Sequence, residues 1–225
     1  MDKIPNHLGI ILDGNRRWAK EKRIPIFQGH EKGLKIVKNV VTWCQDRGIN
    51  ILTLFVFSTE NWKRPKREVG FLMNLTKSAI IKNLKELHGK EIKIRIIGEK
   101  NKLASSVQKS FNKAEELTKN NKSMVLNFAL SYGGRAEIVQ AIKNIIEKKI
   151  EPNDINEEII SKNLWTSDLD LIIRTGKEQR ISNFLIWQAA YSELYFPKKY
   201  WPDFTENDLD KILADYSIRK RRFGK

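Results

Sequence analysis

The sequence has one cysteine among its 225 residues, Cys44, so no disulfide can form within the chain and no thiolate cluster can hold a metal. It also has no long apolar run. The two longest, Ile51 to Phe57 and Met124 to Leu130, are far too short to span a bilayer, and no signal-peptide hydrophobic stretch opens the chain. These absences predict a cytoplasmic protein. Glycine-rich phosphate signatures are missing, both G-x-x-x-x-G-K-[ST] and G-x-G-x-x-G. A Ser or Cys nucleophile elbow and the H-E-x-x-H pattern are missing too. No repeat, low-complexity segment or Pro/Gly/Ser-rich linker divides the chain, so residues 1–225 read as a single domain. Any phosphate bound here must be held by arginines, backbone amides and helix N-termini.

Positive charge, by contrast, is abundant. The net charge is +15, with 40% hydrophobic and 31% charged residues, which describes a folded chain with an anionic partner. Nucleic acid, anionic membrane and phosphorylated small molecules are the candidates. Lysines such as Lys77, Lys82, Lys109 and Lys143 are scattered through helical stretches and read as a solvated face. Several arginines instead sit in loops beside glycine or asparagine, where planar recognition of phosphate is the natural reason for arginine. No nucleic-acid recognition motif is present, which argues against that partner.

The stretch His7 to Trp18, H-L-G-I-I-L-D-G-N-R-R-W, organises the rest. Leu8 to Leu12 reads as a buried strand that delivers Asp13, a flexible Gly14–Asn15 turn and two guanidinium groups to its carboxyl end. The bland alternative makes Asp13 only a helix N-cap. Further strands are expected at Ile51–Phe57, Ile92–Ile97, Met124–Leu130, Leu169–Ile173 and Leu194–Phe196. Helices are expected at Gly29–Arg47 with Cys44 in its core stripe, and at Glu68–Leu87. A third runs from a Ser105/Gln108 capping box to Thr118, and a fourth carries Ile138, Ile142, Ile145 and Ile146 as its stripe. Short helices capped by Asp154/Glu157 and by Ser182 follow, and Thr205/Asp208 open the last one. Strands that alternate with helices make an α/β fold, a mostly parallel twisted sheet of about six strands flanked by helices. Four strand ends then bring Asp13/Arg17, Asn61/Arg64, Gly133/Arg135 and Arg174 to one sheet edge, where open α/β sheets bind ligands.

The segment Arg174 to Phe184, R-T-G-K-E-Q-R-I-S-N-F, fits a diphosphate grip, with two arginine forks and the Ser182 hydroxyl. Glu193 with Asp13 would complete an oxygen-ligand site for Mg²⁺, which takes few carboxylates. His30 reads as a helix cap or a phosphate contact, His7 as structural, and Trp18 and Trp62 as loop packing or substrate cover.

Taken together, H-L-G-I-I-L-D-G-N-R-R-W-A-K, Q-G-H, F-S-T-E-N-W-K-R-P-K-R-E-V, L-S-Y-G-G-R, the run from Leu171 to Phe196, W-P-D-F and R-R-F-G resemble the cis-prenyltransferase family in order and over nearly the whole chain. The resemblance implies a Mg²⁺-dependent homodimeric enzyme with an apolar tunnel. It would add isopentenyl diphosphate, in cis, to an allylic diphosphate primer such as farnesyl diphosphate. The product would be a long polyprenyl diphosphate such as undecaprenyl diphosphate, the lipid carrier of cell-wall synthesis. A shorter-chain synthase and a non-catalytic partner subunit are the alternatives. The basic tail Arg219 to Lys225 suggests contact with anionic membrane at product release. By the same resemblance Asp13 is the essential acid and a magnesium ligand, with Glu193 the second. Gly14, Asn15, Arg16, Arg17, Trp18 and His30 hold the allylic diphosphate. Ser58, Thr59, Glu60, Trp62 and Arg64 form the second substrate loop, and Arg174, Arg180, Ile181 and Ser182 grip isopentenyl diphosphate. Asn61 matches the assigned proton acceptor. An amide has negligible basicity, so a relay through water or diphosphate oriented by Asn61 is the physical reading. The chain departs from the family at Ile26, where arginine is usual, at Lys177 for glycine, and at Gln179 for a frequent histidine. Val56, Phe57 and Leu126 are candidates for setting product length.

Overall fold

The fold is known from a computed structural model in which residues 3–219 are described. The R-R-F-G motif and the tail beyond Arg219 lie outside those residues.

The apolar runs become strands: β1 (His7–Ile11), β2 (Ile51–Ser58), β3 (Ile92–Ile97), β4 (Met124–Tyr132), β5 (Leu171–Arg174) and β6 (Glu193–Tyr195). They form one sheet in the order β3-β4-β2-β1-β5-β6, and every pairing is parallel. A parallel sheet is buried on both faces, and β1 shows it. Leu8 and Ile10 join a large core with α2 (Ile26–Asp46), α3 (Lys66–Gly89), α4 (Ser105–Thr118) and α7 (Glu206–Ile218). Ile11 turns to a smaller core on the other face, with Ile172, Phe184 and Leu185. Cys44 is wholly buried in the large core, as its place on the stripe predicts. The Thr205/Asp208 capping box of α7 also forms.

The structure differs from the sequence reading at several points. α2 starts three residues earlier than Gly29, directly after Pro25, whose ring suits the position before a first turn. Gln108 makes no capping box for α4; its amide donates to the Leu103 carbonyl at 2.6 Å, and Ala104 holds the cap position. Asn156, not Asp154, caps α6 (Glu157–Asn163), accepting from the Ile159 N–H at 3.0 Å. In α5 (Gly134–Glu147) the buried stripe is Gly134, Glu137, Ala141 and Ile145, while Ile142 and Ile146 stay 48% and 69% exposed. No helix follows Ser182. Ser182, Asn183 and Leu185 all adopt positive φ, which breaks helical continuation, and the segment to Tyr191 is a chain of turns.

Candidate active site

The carboxyl edge of the sheet gathers charge around Asp13. Past Ile11 the chain turns at Gly14, whose φ of 107° is open to glycine, and enters α1 (Asn15–Glu21). Gly14 itself occupies the cap position, so Asp13 is not the N-cap. Its carboxylate does other work. Oδ1 accepts from the Gly14 N–H at 2.7 Å, and Oδ2 accepts from Arg17 at 3.0 Å and from Arg174 at 2.9 Å. Gly176, at φ 92°, lets this cluster close, because a Cβ there would stand 2.9 Å from Asp13 Cγ and from Arg17 Nη2. Arg174, the last residue of β5, is only 5% exposed. Its Nη1 donates to Ser182 Oγ at 2.7 Å and to the Arg180 carbonyl, while its buried Nε has no partner. Glu178 bridges Arg17 and Arg180, each at 2.7 Å.

A second cluster centres on Glu68, in the first turn of α3 and 6% exposed. It accepts from Arg64 at 3.1 Å, with Arg16 at 3.8 Å and His30 at 3.7 Å. His30 lies inside α2 rather than at its cap. Burial pulls its pKa down to about 4; Glu68 opposes that, and the Arg64 and Arg16 charges reinforce it. The ring is therefore neutral near pH 7, and its buried Nε2 has no hydrogen-bond partner.

The third group comes from β2, whose register with β4 shifts between Phe55 and Ser58, a bulge that re-aims the strand end. A 3-10 turn, Thr59–Lys63, follows, and Asn61 Oδ1 accepts from the Ser58 N–H at 3.2 Å. Asn183 ties this loop to two others. Its Nδ2 donates to Glu60 at 3.1 Å, its Oδ1 accepts from the Arg135 N–H at 3.0 Å, and its carbonyl accepts from the Gly134 N–H at 2.7 Å.

These groups open on one cavity of about 840 Å³. Its polar mouth takes in Asp13, Gly14, Asn15, Arg16, Arg17, His30, Ser58, Glu60, Asn61, Arg64, Arg174 and Ser182. Behind the mouth, between α2, α3 and the sheet, its walls are mainly apolar and include Val56, Phe57 and Leu126, with polar groups at the far end. Other residues singled out from the sequence lie outside its lining. The Trp18 indole donates to Asp203 at 2.8 Å, and the Trp62 indole to Ser131 at 2.9 Å. Ile181 packs on the smaller core, and the Arg180 side chain is 61% exposed. Thr59 and Arg135 do not line the cavity either. Glu193 is the clearest correction to placement. It begins β6 opposite Leu171, at the amino edge of the sheet, and its carboxylate pairs with Arg219 at 2.7 Å. Three residues of strand, roughly 10 Å, separate that level from Arg174, so one chain does not bring Glu193 to Asp13. Glu68 and Asn183 were passed over in the sequence. The signal for Glu68 was its place four residues after Arg64; Asn183 had none beyond its neighbour Ser182.

A mouth rich in arginine, set over a mainly apolar cavity on a parallel sheet, has the shape and charge that suit a molecule with an anionic head and a hydrocarbon tail. Residues 11–224 match the family described as "Putative undecaprenyl diphosphate synthase". The chain is 47% identical to an isoprenyl transferase of Streptococcus pneumoniae, over 99% of this chain and 92% of that one. It is 46% identical to an isoprenyl transferase of Clostridium tetani, over 100% and 91%. Among solved structures it matches a lavandulyl diphosphate synthase from Lavandula x intermedia, in complex with dimethylallyl diphosphate, at TM-score 0.95, 37% identity and 99% coverage of both chains. A probable undecaprenyl diphosphate synthase from Campylobacter jejuni matches at TM-score 0.86 and 36% identity over the whole of both chains. The chain belongs to the undecaprenyl diphosphate synthase family; it is a prenyltransferase, of the kind that elongates prenyl chains in cis.

Proposed function

We propose that the enzyme condenses isopentenyl diphosphate with an allylic diphosphate primer, farnesyl diphosphate first among them, and repeats the step to a long polyprenyl diphosphate. The observation that carries this reading is the pair of buried, unpartnered polar atoms Arg174 Nε and His30 Nε2, set among Arg16, Arg17 and Arg64 at the mouth of an apolar cavity. A buried donor without a partner is costly, and a diphosphate oxygen would satisfy it.

In this reading Asp13 holds the guanidinium groups of Arg17 and Arg174 in place before substrate arrives. Arginines and backbone amides aimed at the departing diphosphate stabilise the charge that builds as the allylic carbon–oxygen bond breaks. The condensing alkene then loses a proton to water or to diphosphate, with Asn61 orienting that acceptor. The Asp13 carboxylate, alone among oxygen donors of substrate, fits a hard cation such as Mg²⁺. When bound there, the ion would neutralise the leaving diphosphate. Asp13 and Glu60 are the carboxylates that line the mouth, and Asp13, at the centre of the arginine cluster, is the one this reading assigns to the ion.

A homodimer is part of the same reading. Val139, Ile142 and Ile146 leave an apolar face of α5 exposed, as a surface between copies would require. A cytoplasmic enzyme whose basic tail contacts anionic membrane belongs to the same reading, carried by the charge of that tail in the sequence; no helix among the described residues is long and apolar enough to cross a membrane. The test is incubation with farnesyl diphosphate, labelled isopentenyl diphosphate and Mg²⁺, with products sized by chromatography. Incorporation into a ladder of longer products is expected. No incorporation with any allylic primer overturns the proposal and leaves the non-catalytic subunit as the alternative.

A further inference from the structure

The cavity has a polar end as well as a polar mouth. α2 and α3 run side by side in the same direction. His30 meets Glu68 at the mouth, and Lys38 and Thr42 meet Glu86 and Lys90 at the far end. The two contacts are eight residues apart on α2, roughly 12 Å of helix, and eighteen apart on α3, roughly 27 Å, so the helices cross at an angle and the cavity widens along α3. Between those levels the two helices present Leu34, Val37, Leu72, Leu75, Ala79 and Ile80. Beyond them Lys38, Thr42, Asn83, Glu86 and Lys90 line the same cavity. The polar groups there are tied together. Lys38 and Glu86 form an ion pair at 2.8 Å, Lys90 stands 3.7 Å from Glu86, and Lys90 Nζ donates to Thr42 Oγ1 at 2.9 Å. Gln45 anchors the Lys90 carbonyl at 2.8 Å. The Lys38 and Glu86 side chains remain 52% and 43% exposed, so the pair stands where the apolar cavity meets solvent.

We propose that this Lys38–Glu86–Lys90 cluster is an ionic stop that sets the length of the product. The inference rests on the elongation reading above. A growing hydrocarbon advances through the apolar stretch because each unit leaves water. At the far end the next unit would have to displace water from a lysine–glutamate pair and a second ammonium group. Removing solvation from paired charges without new partners is unfavourable. Advance therefore loses its driving force at this ring, and release of the chain overtakes the next addition. The device acts on how far the chain reaches, and it lies well away from the charged groups at the mouth.

The experiment is product sizing with farnesyl diphosphate and labelled isopentenyl diphosphate, comparing the unaltered protein with Glu86→Ala, Lys38→Ala and the charge swap Lys38→Glu/Glu86→Lys. The readout is the ratio of product lengths within each reaction, which does not depend on overall rate. Both alanine variants are expected to shift the main product longer by one or more isoprenyl units, and the swap to restore the original distribution. Unchanged lengths in the alanine variants overturn the stop. So does a swap that stays as long as Glu86→Ala, because an ion pair standing at the same place would then not halt the chain. Failure of the unaltered protein to incorporate any isopentenyl diphosphate is a different result, and it overturns the elongation reading itself.

Discussion

The two ends of the sheet each bury a histidine, and the two are close to identical in titration yet opposite in role. His7, at the amino edge, has every ring nitrogen engaged. Nδ1 faces the carbonyls of Ser167 at 3.1 Å and Asp168 at 3.0 Å, so it carries the proton and donates. Nε2 then accepts from the Thr53 hydroxyl at 2.7 Å, which in turn accepts from Asn127 at 2.9 Å. His30, at the carboxyl edge, leaves Nε2 unpartnered among arginines and a glutamate. Burial lowers both pKa values to about 4. A depressed pKa thus says only that a ring is buried. The hydrogen-bond inventory is what separates a structural histidine from one held ready for a ligand.

The strongest way to break the comparison is Asp13→Asn. It removes the charge between Arg17 and Arg174, and incorporation of labelled isopentenyl diphosphate is expected to fall about a thousandfold, some 4 kcal/mol of transition-state stabilisation. A rate near that of the parent would make the cluster a structural feature like the one at His7.

Acid comes next. Between pH 6.5 and about 4 the unfolded chain protonates both histidines while the folded chain does not, so stability falls as pH drops through that window. The loss levels off below about pH 4. It is of order 3 kcal/mol for each ring, measurable as denaturant midpoints against pH, and His7→Asn should flatten the slope by about half.

The alanine variants sharpen the contrast directly. His7→Ala is expected to cost about 2 kcal/mol of unfolding free energy and leave primer KM alone. His30→Ala is expected to reduce kcat/KM for the allylic primer about thirtyfold with little change in stability. Equal stability losses and no kinetic difference would erase the distinction.

Smaller effects concern the loops. Asn183→Ala cuts the tie between Glu60 and the Arg135 amide, and kcat is expected to fall about tenfold. Asn183→Asp alone should be worse, since it faces Glu60. The double variant Asn183→Asp/Glu60→Gln exchanges donor and acceptor and should recover part of that loss, a coupling that a double-mutant cycle reads. Lys177, at φ 63°, is a lysine in a conformation suited to glycine, with its ammonium 4.4 Å from the Tyr200 ring centroid. Lys177→Gly relieves strain but loses that contact, for a net gain of about 0.5 kcal/mol in a chemical melt.

Much of the fold and part of the site were legible along the chain. Strands buried on both faces announce themselves as continuous apolar runs, so β1 to β4 fell where Leu8, Ile51, Ile92 and Met124 placed them. Parallel pairing then collects carboxyl ends on one edge, so chain order alone makes Asp13, Arg17, Asn61, Arg64 and Arg174 neighbours; Gly133 and Arg135, expected with them, do not line the cavity. The misreadings have physical causes. Ser182 looked like a helix cap because serine before an apolar run usually is one; its hydroxyl instead serves Arg174, and three positive φ angles replace the helix. Glu193 follows a long excursion from β5, and a strand that must restart in parallel starts at the far edge.

Order along the chain was enough to specify an α/β sheet, its carboxyl edge and the residues arrayed there, because strand periodicity and chain direction are local properties. Which of those residues share a cavity, and in what protonation state, was settled by long-range packing. Asp13 meets Arg174 across 161 residues of sequence. His30 is neutral because burial outweighs the pull of the Glu68 carboxylate, and the Lys38–Glu86 pair exists only because α2 and α3 meet. These contacts arise between segments remote in sequence, unlike the i,i+4 pairs Asp13–Arg17 and Arg64–Glu68, so no local pattern announces them.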